Sequence, residues 1–214
     1  MNDERVELWH VEADATLQAI LDQADSPALL RQTLTGALAW QVRNETTVAR
    51  ALRAPRIAPQ WIAALLALGA TVTVEGDGSQ AEIPLKKLNG ETVSALHVPT
   101  GAGRRWGEAR VARTPSDEPI VAAFAVVDLD GGIVRQARVA LTGAWPEAAR
   151  LAQAAAQLAG GPLNADRIQS VADGVMAEVA PEGDFLGSAD YRREMAGVLT
   201  RRALARCLEQ GGNK

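Results

Sequence analysis

Residues 120–141 read IVAAFAVVDLDGGIVRQARVAL, and this stretch decides the architecture of the second half of the chain. Two apolar runs, 120–129 and 133–141, flank Asp130-Gly131-Gly132. Glycine allows the positive φ angles that a tight hairpin turn needs, so the stretch predicts two antiparallel strands. A further strand is predicted over 106–113, which gives a sheet of three antiparallel strands.

Helical patterns follow the hairpin. Three helices are predicted, over the alanine-rich 146–159, over 165–179 and over 188–208. Ser188 is in the position of an N-cap for the last helix. The apolar spacing predicts a buried stripe on that helix, formed by Tyr191, Met195, Val198, Leu199 and Leu204.

The first half combines helices with a later run of strands. Predicted helices are 14–24 with Asp14 as cap, a helix opened by Ser26-Pro27 with apolar residues from Leu29 to Trp40, and 59–68 stopped at Gly69. Predicted strands are 71–74, 82–85 and 93–98, with Gly76-Asp77-Gly78-Ser79 as a turn. Residues 100–103 have the composition of a linker. We therefore expect an α+β protein with two regions: residues 1–103, helices on a small, mainly antiparallel sheet, and residues 104–214, three antiparallel strands covered by three helices.

Composition restricts the function classes. The chain has 214 residues and a net charge of −4, which argues against a general nucleic-acid binder. Its single cysteine, Cys207, excludes an intrachain disulfide and zinc or iron–sulfur ligation by cysteines. No apolar run is long enough to cross a bilayer, and the polar start MNDERVELWH is unlike a signal peptide. We expect a cytoplasmic protein.

Few side chains are candidates for chemistry of their own. The two histidines, His10 and His97, have no spaced carboxylate or histidine neighbour that suggests a ligand pair, so no metal site is predicted. No acid, base or nucleophile stands out, so no catalytic residue is predicted. Four basic residues suit either a solvated surface or a phosphate or partner contact: Arg43, Arg50, Arg53 and Arg56.

The C-terminal sequence adds a specific resemblance. DFLGSADYRR (184–193) and VLTRRAL (198–204) resemble the tail of the flavoprotein (medium) subunit of molybdenum hydroxylases, the carbon monoxide dehydrogenase and xanthine dehydrogenase group. That tail typically reads D-x-x-G-S-A-x-Y-R-R and then V-L-x-R-R-A-L. The segment RTPSDEPIV (113–121) and the hairpin agree with it. The resemblance implies the C-terminal domain of the carbon monoxide dehydrogenase flavoprotein for 104–214, in an oxidoreductase complex with iron–sulfur and molybdopterin subunits.

The first half resembles the same family less closely. The family's flavin-binding segment reads roughly I-R-N-x-G-T-I-G-G-N, and Val42-Arg43-Asn44 and Thr47-Val48 agree with it. The resemblance implies the second FAD-binding (PCMH-type) subdomain for 1–103 and FAD as the cofactor. The cofactor-binding candidates that it implies are Arg43, Asn44, Thr46, Thr47, Val48, Ala49 and Arg50.

Several departures from the family pattern fall on the flavin site. Ala49-Arg50-Ala51 stands where the family has Gly-Gly-Asn, Gln60 stands at a family aspartate, and the loop after 88–90 is shorter. Glycines there let backbone amides approach a pyrophosphate closely, and a Cβ obstructs that approach. The family's first flavin-binding subdomain has no counterpart in this sequence. These departures argue against FAD binding by this chain alone.

Two hypotheses stay open. In the first, the chain relays electrons from iron–sulfur clusters through FAD; Arg50, Arg53 or Arg56 replaces the backbone amides, and a separate polypeptide supplies the missing subdomain. In the second, the chain is a flavin-free, degenerate homologue that acts as an assembly or interaction module. Homo-oligomer formation is compatible with both.

Overall fold

The structure is a computed structural model that describes residues 7–76, 79–101, 103–114 and 117–210. Parts of four sequence predictions lie outside the described residues: the polar start, Asp77-Gly78 of the turn, Ala102 of the linker and Pro115-Ser116 of the family segment. The described residues form helices and two four-stranded antiparallel sheets, which confirms the α+β class. No helix within these ranges is long and apolar enough to cross a membrane.

The first sheet has the strand order β1-β4-β2-β3. Its strands are β1 (Glu7–Glu12), β2 (Thr71–Gly76), β3 (Ser79–Pro84) and β4 (Thr92–Thr100). In β1, Trp9 and Val11 are buried while His10 between them is exposed. This alternation places one face of the sheet on the core and the other in solvent.

Five short helices lie between β1 and β2 in the chain, and all but the third contribute buried residues to the core that also contains the buried side chains of this sheet. They are α1 (Leu17–Asp22), α2 (Ala28–Ala37), α3 (Trp40–Glu45), α4 (Val48–Arg53) and α5 (Pro59–Leu68). Every residue of α5 is buried, and Gly69 ends it with a φ of 74°. The predicted helix over 59–68 and its glycine stop are confirmed.

The other predicted helices of the first half differ from the structure. Thr16, not Asp14, caps α1: its Oγ1 accepts the amide of Ala19 at 3.1 Å. The helix predicted to reach Trp40 is two helices, and Trp40 begins the second one with 65% of its surface exposed. Ser26 makes no cap, since α2 begins after Pro27 and the Ser26 side chain is buried.

Arg43 gives the physical reason why α2 stops early. Its Nη1 donates to the carbonyl oxygens of Leu34 and Leu38. Carbonyls at a helix C-terminus lack intrahelical donors, and a cationic side chain supplies them. Side-chain capping from α3 therefore ends α2 without a glycine, which no local sequence pattern signals.

The second sheet has the strand order β5-β6-β7-β8. Its strands are β5 (Arg104–Val111), β6 (Val121–Asp130), β7 (Ile133–Thr142) and β8 (Arg150–Ala152). Gly131 and Gly132 have φ angles of 54° and 85°, as the predicted tight turn requires. The hairpin read from 120–141 is therefore confirmed.

This second sheet is buried on both faces. In β6, Phe124 and Val126 pack into the core that contains α5, while Ala123 and Ala125 face the other core. That other core is covered by α6 (Ala165–Glu178) and α7 (Ala189–Glu209). Burial on both faces explains why β6 reads as a continuous apolar run and not as an alternating one.

Two predictions for the second half are wrong. The alanine-rich stretch is not a helix but β8 followed by a 3-10 turn, Gln153–Leu158. Backbone pairing of β8 with β7 overrides the helix propensity of alanine there. The sheet therefore has four strands, and two α-helices cover it.

The buried stripe of α7 is rotated from the predicted one. Tyr191, Met195 and Val198 are only half-buried, whereas Leu199 and Leu204 are fully buried as expected. The remaining buried positions are Arg192, Ala196, Gly197, Thr200, Ala203 and Cys207. Small residues dominate because α7 lies directly on β5: a Cβ at Gly107 would be 2.1 Å from the Ala203 carbonyl oxygen.

Candidate cofactor-binding region

The cofactor-binding candidates 43–50 lie where α3 ends and α4 begins. An isolated bridge between Thr16 and Thr47 fixes this junction against the start of α1. The carbonyl of Thr46 accepts the amide of Leu17 at 2.9 Å. The junction is therefore held by backbone contacts with residues 13–17.

The first two candidates use their side chains for structure. Besides its contacts with the end of α2, Arg43 donates from Nε to Gln18 Oε1 at 3.0 Å. Asn44 donates from Nδ2 to the carbonyl oxygen of Trp40 at 2.8 Å, within α3. Both side chains are thus engaged in hydrogen bonds to residues of the helices α1, α2 and α3 and their ends.

The first turn of α4 is the place where the family places its glycines, and each of its amides already has an acceptor. Val48 N donates to Ala15 O at 2.9 Å, and Ala49 N donates to Ala13 O at 2.8 Å. The next amide, that of Arg50, donates to the N-cap hydroxyl Thr47 Oγ1 at 3.2 Å. A helix N-terminus binds an anion through unpaired amides, and this turn offers none of these three.

The arginines near this turn are dispersed. Arg50 and Arg56 each donate to a backbone carbonyl, of Glu45 at 3.4 Å and of Pro146 at 2.8 Å. Arg53 is exposed, and its side chain has no hydrogen bond or ion pair with any described residue. Gln60 is buried inside α5, where its Nε2 has no hydrogen-bond partner among the described residues.

A cleft of about 690 Å³ lies nearby, between α5 and the β7–β8 edge of the second sheet. Its volume is in the range of small-molecule sites. None of the candidates 43–50 lines it. Its lining is mainly aliphatic and includes Ile62, Leu66, Leu85, Leu88, Ala137 and Leu151.

The tail motif builds a polar joint at the start of α7. The guanidinium of Arg192 donates to the carbonyl oxygen of Ile120 at 2.6 Å and to Asp184 Oδ2 at 2.7 Å. Asp184 Oδ1 in turn accepts the amide of Leu186 at 2.8 Å. The hydrogen bond from Arg192, followed by that amide, lowers the pKa of the Asp184 carboxyl. Ser188 caps α7 as predicted, by accepting the amide of Tyr191.

The fold brings the two histidines of the chain together. His10 and His97 lie opposite each other on β1 and β4, and Glu12 contacts His10. Spacing along the sequence does not show this contact. Strand pairing over 87 residues brings the rings together, and only the alternation in ELWHVE, which is strand-like, could have signalled it.

Comparisons with known proteins agree with this architecture. Residues 109–207 match the family described as the CO dehydrogenase flavoprotein C-terminal domain. The chain is 28% identical over 182 residues to the carbon monoxide dehydrogenase medium chain of Hydrogenophaga pseudoflava, covering 78% of this chain and 63% of that protein. It is 30% identical over 206 residues to the uncharacterized protein YgfM of Escherichia coli K12, covering 93% and 73% of the two chains.

The chain belongs to the flavoprotein medium-subunit family of the molybdenum hydroxylases. A solved structure of the carbon monoxide dehydrogenase from Hydrogenophaga pseudoflava, in a form that lacks the Mo-pyranopterin moiety of its cofactor, superposes with a TM-score of 0.83 at 26% identity. The superposition covers 98% of this chain and 77% of that one. The chain spans less than two thirds of the length of several curated relatives, this medium chain among them at 63%.

The family implies FAD as the cofactor. The hydrogen bonds at the first turn of α4 show whether a flavin phosphate fits there. A flavin pyrophosphate at the start of α4 would need amide donors, and the amides of Val48, Ala49 and Arg50 are engaged. Binding there would have to break the contacts that hold the turn to Ala13 and Ala15. The residues at this turn therefore do not fit a flavin phosphate.

Proposed function

We propose that the chain is the medium-subunit component of a multi-subunit, molybdenum-hydroxylase-type oxidoreductase and associates with iron–sulfur and molybdopterin subunits. The observation that carries the proposal is the likeness over almost the whole chain to a carbon monoxide dehydrogenase structure. The polar joint of Asp184 and Arg192 lies inside the matched C-terminal region and gives that portion of the likeness a physical basis.

Electron relay through FAD is the activity that this role implies in the family. Because the first turn of α4 does not fit a flavin phosphate, relay requires donors from elsewhere. Arg53 is an exposed cation of α4 with no partner among the described residues, so it is the arginine best placed to contribute. A separate polypeptide that supplies further flavin-binding residues belongs to this proposal.

A second candidate function is a flavin-free assembly or interaction module. The occupied amides at α4 favour it, because they remove the donors that a phosphate would need. The relatives favour the first candidate, since their names describe subunits of dehydrogenases. The two candidates differ in one measurable property, the flavin content of the assembled complex.

Co-expression tests the proposal directly. The full chain is tagged and co-expressed with the iron–sulfur and molybdopterin subunits of its own organism, and the purified sample is separated by size. Co-elution in a fixed ratio is expected, and elution of the chain alone contradicts the proposal. The visible spectrum after added FAD and desalting then decides between the candidates: retained flavin supports relay, and a stable but flavin-free complex supports the assembly role.

A further inference from the structure

The chain contains only two histidines, and they meet on the solvent face of the first sheet. His10 on β1 pairs directly with His97 on β4. The two Nδ1 atoms are 3.2 Å apart, and the ring planes are inclined by 36°. The side chain of His10 is 47% exposed, so a small ion from solvent can reach the pair.

Both rings are held from behind by a second polar group. Glu12 Oε1 lies 2.8 Å from Nε2 of His10, and Thr73 Oγ1 lies 2.8 Å from Nε2 of His97. Metal-binding histidines commonly donate their second ring N–H to a carboxylate or another oxygen, which fixes the tautomer and the ring orientation. Here that arrangement turns both Nδ1 atoms toward each other.

The hydrogen positions follow from the donors and acceptors. A carboxylate only accepts, so in the neutral form of His10 Nε2 carries the proton and Nδ1 presents a lone pair. With no ion bound, the Nδ1–H of His97 donates to that lone pair while the Thr73 hydroxyl donates to Nε2. If the Thr73 hydroxyl instead accepts a hydrogen bond from Nε2–H of His97, both Nδ1 lone pairs become free. A neutral His97 makes this change by moving one proton between its own ring nitrogens.

We propose that His10 and His97 bind a divalent transition-metal ion between their Nδ1 atoms. Metal–imidazole distances of about 2.0–2.1 Å in a tetrahedral site place two ligand nitrogens about 3.3–3.4 Å apart. The observed 3.2 Å needs only a small opening of the pair. Two neutral imidazoles select Cu²⁺, Ni²⁺ or Zn²⁺ over Mg²⁺ and Ca²⁺, and Cu²⁺ binds most tightly.

The site has two protein ligands, and water completes its coordination. In the described residues of the chain no three His, Cys, Asp or Glu side chains form a metal group, so affinity rests on the histidine pair. The ion would link β1, an edge strand, to β4 in the interior of the sheet. This inference goes beyond the proposed function and does not depend on it.

Titration of the full chain with Cu²⁺ and with Zn²⁺ tests the site. Electron paramagnetic resonance of the Cu²⁺ form is expected to show two imidazole nitrogens, and calorimetry is expected to show one site per chain for either ion. His10→Asn and His97→Asn each remove one ligand, so each is expected to weaken binding at least tenfold. Unchanged affinity in both variants, or a spectrum without two imidazole nitrogens, overturns the proposal.

A further pair of variants separates metal positioning from general folding. Glu12→Gln keeps both ligands and removes the carboxylate behind His10, so it is expected to weaken Zn²⁺ binding about tenfold. Glu75→Gln, on β2 of the same sheet, is the matched control and is expected to leave the affinity unchanged. Equal affinity for both glutamate variants contradicts the positioning role. Thermal melts in EDTA confirm that each variant is folded before its affinity is compared.

Discussion

The starts of α4 and α7 both lie in segments that resemble the family, closely at α7 and with departures at α4, and the structure uses them differently. Both helices begin at a hydroxyl N-cap, Thr47 and Ser188. At α7 a side chain, that of Arg192, reaches out of the helix to the carbonyl of Ile120 and to Asp184. At α4 the backbone amides donate inward, to the carbonyls of residues 13 and 15.

The two portions of the family resemblance therefore carry different information about the protein. The side chains of the tail motif form contacts that stabilise the fold. A match to this motif is therefore evidence for the fold. A turn that binds a cofactor phosphate uses unpaired backbone amides. Matching residues in the neighbouring sequence do not show whether those amides are free to donate. The hydrogen bonds at the first turn of α4 show that its amides are already paired, which sequence similarity cannot show.

The largest effect is expected where the joint at α7 meets the backbone. Gly143 has a φ of 70°, and a Cβ there would be 2.1 Å from the Ile120 carbonyl oxygen that Arg192 also contacts. Gly143→Ala is expected to lower the free energy of unfolding by at least about 3 kcal/mol in urea denaturation. Gly160 has a φ of 79° but open space, so Gly160→Ala should cost only about 1–2 kcal/mol. Equal costs would show that the joint is not tightly packed.

Removing the arginine of the joint comes next. Arg192→Met leaves the buried carbonyl of Ile120 and the half-buried carbonyl of Gly143 without this donor, so a loss of about 3 kcal/mol is expected. Arg193→Met is the matched control, because Arg193 forms an exposed pair with Asp190 and should cost under about 1 kcal/mol. Denaturation of both variants at pH 7 measures the difference, and similar losses would remove the special role of Arg192.

The two caps are expected to contribute equally. Thr47→Ala and Ser188→Ala each remove one hydroxyl that accepts a first-turn amide, at a cost of about 1 kcal/mol. Thr47→Ala should also leave flavin retention by the chain unchanged, because the amides of Val48 and Ala49 keep their acceptors. A gain of flavin absorbance in Thr47→Ala would show that this turn does bind phosphate.

The smallest effect is expected on the stability of the fold at acidic pH. Because its pKa is lowered in the folded chain, ionised Asp184 stabilises the fold above the ordinary carboxyl pKa of 3.8, and this contribution is lost as pH falls through the lowered value. Asp184→Asn should therefore give a stability that falls less steeply below pH 4 than the native chain shows. Asp190→Asn removes another carboxylate paired with arginine and serves as the control. Identical acid profiles for native and Asp184→Asn chains would contradict the stabilisation.

Much of the second half could be predicted from sequence because its signals are local. The Asp130-Gly131-Gly132 turn, the Ser188 cap and the period of α6 each lie within a few residues. The stretch 146–159 failed because β8 exists only through its pairing with β7. Alanine has no side-chain pattern that separates a buried strand from a helix.

The candidate region was less predictable because its structure depends on distant partners. α2 ends where Arg43 caps it, and the amides of α4 find acceptors more than thirty residues earlier in the chain. The histidine pair depends on the register of β1 with β4. The family resemblance could nominate residues between Arg43 and Arg50 as a site, but only the backbone hydrogen bonds of the structure show which amides are already paired.

The single thiol of the chain provides a built-in reporter of opening. Cys207 is fully buried in α7 against the carbonyl of Ala125, and burial raises the pKa of its thiol to about 12. Alkylating reagents attack the thiolate and need access, so the closed molecule is protected on both counts. The rate of alkylation under native conditions thus reports how often α7 separates from the sheet. Mass spectrometry measures this rate without any engineered label.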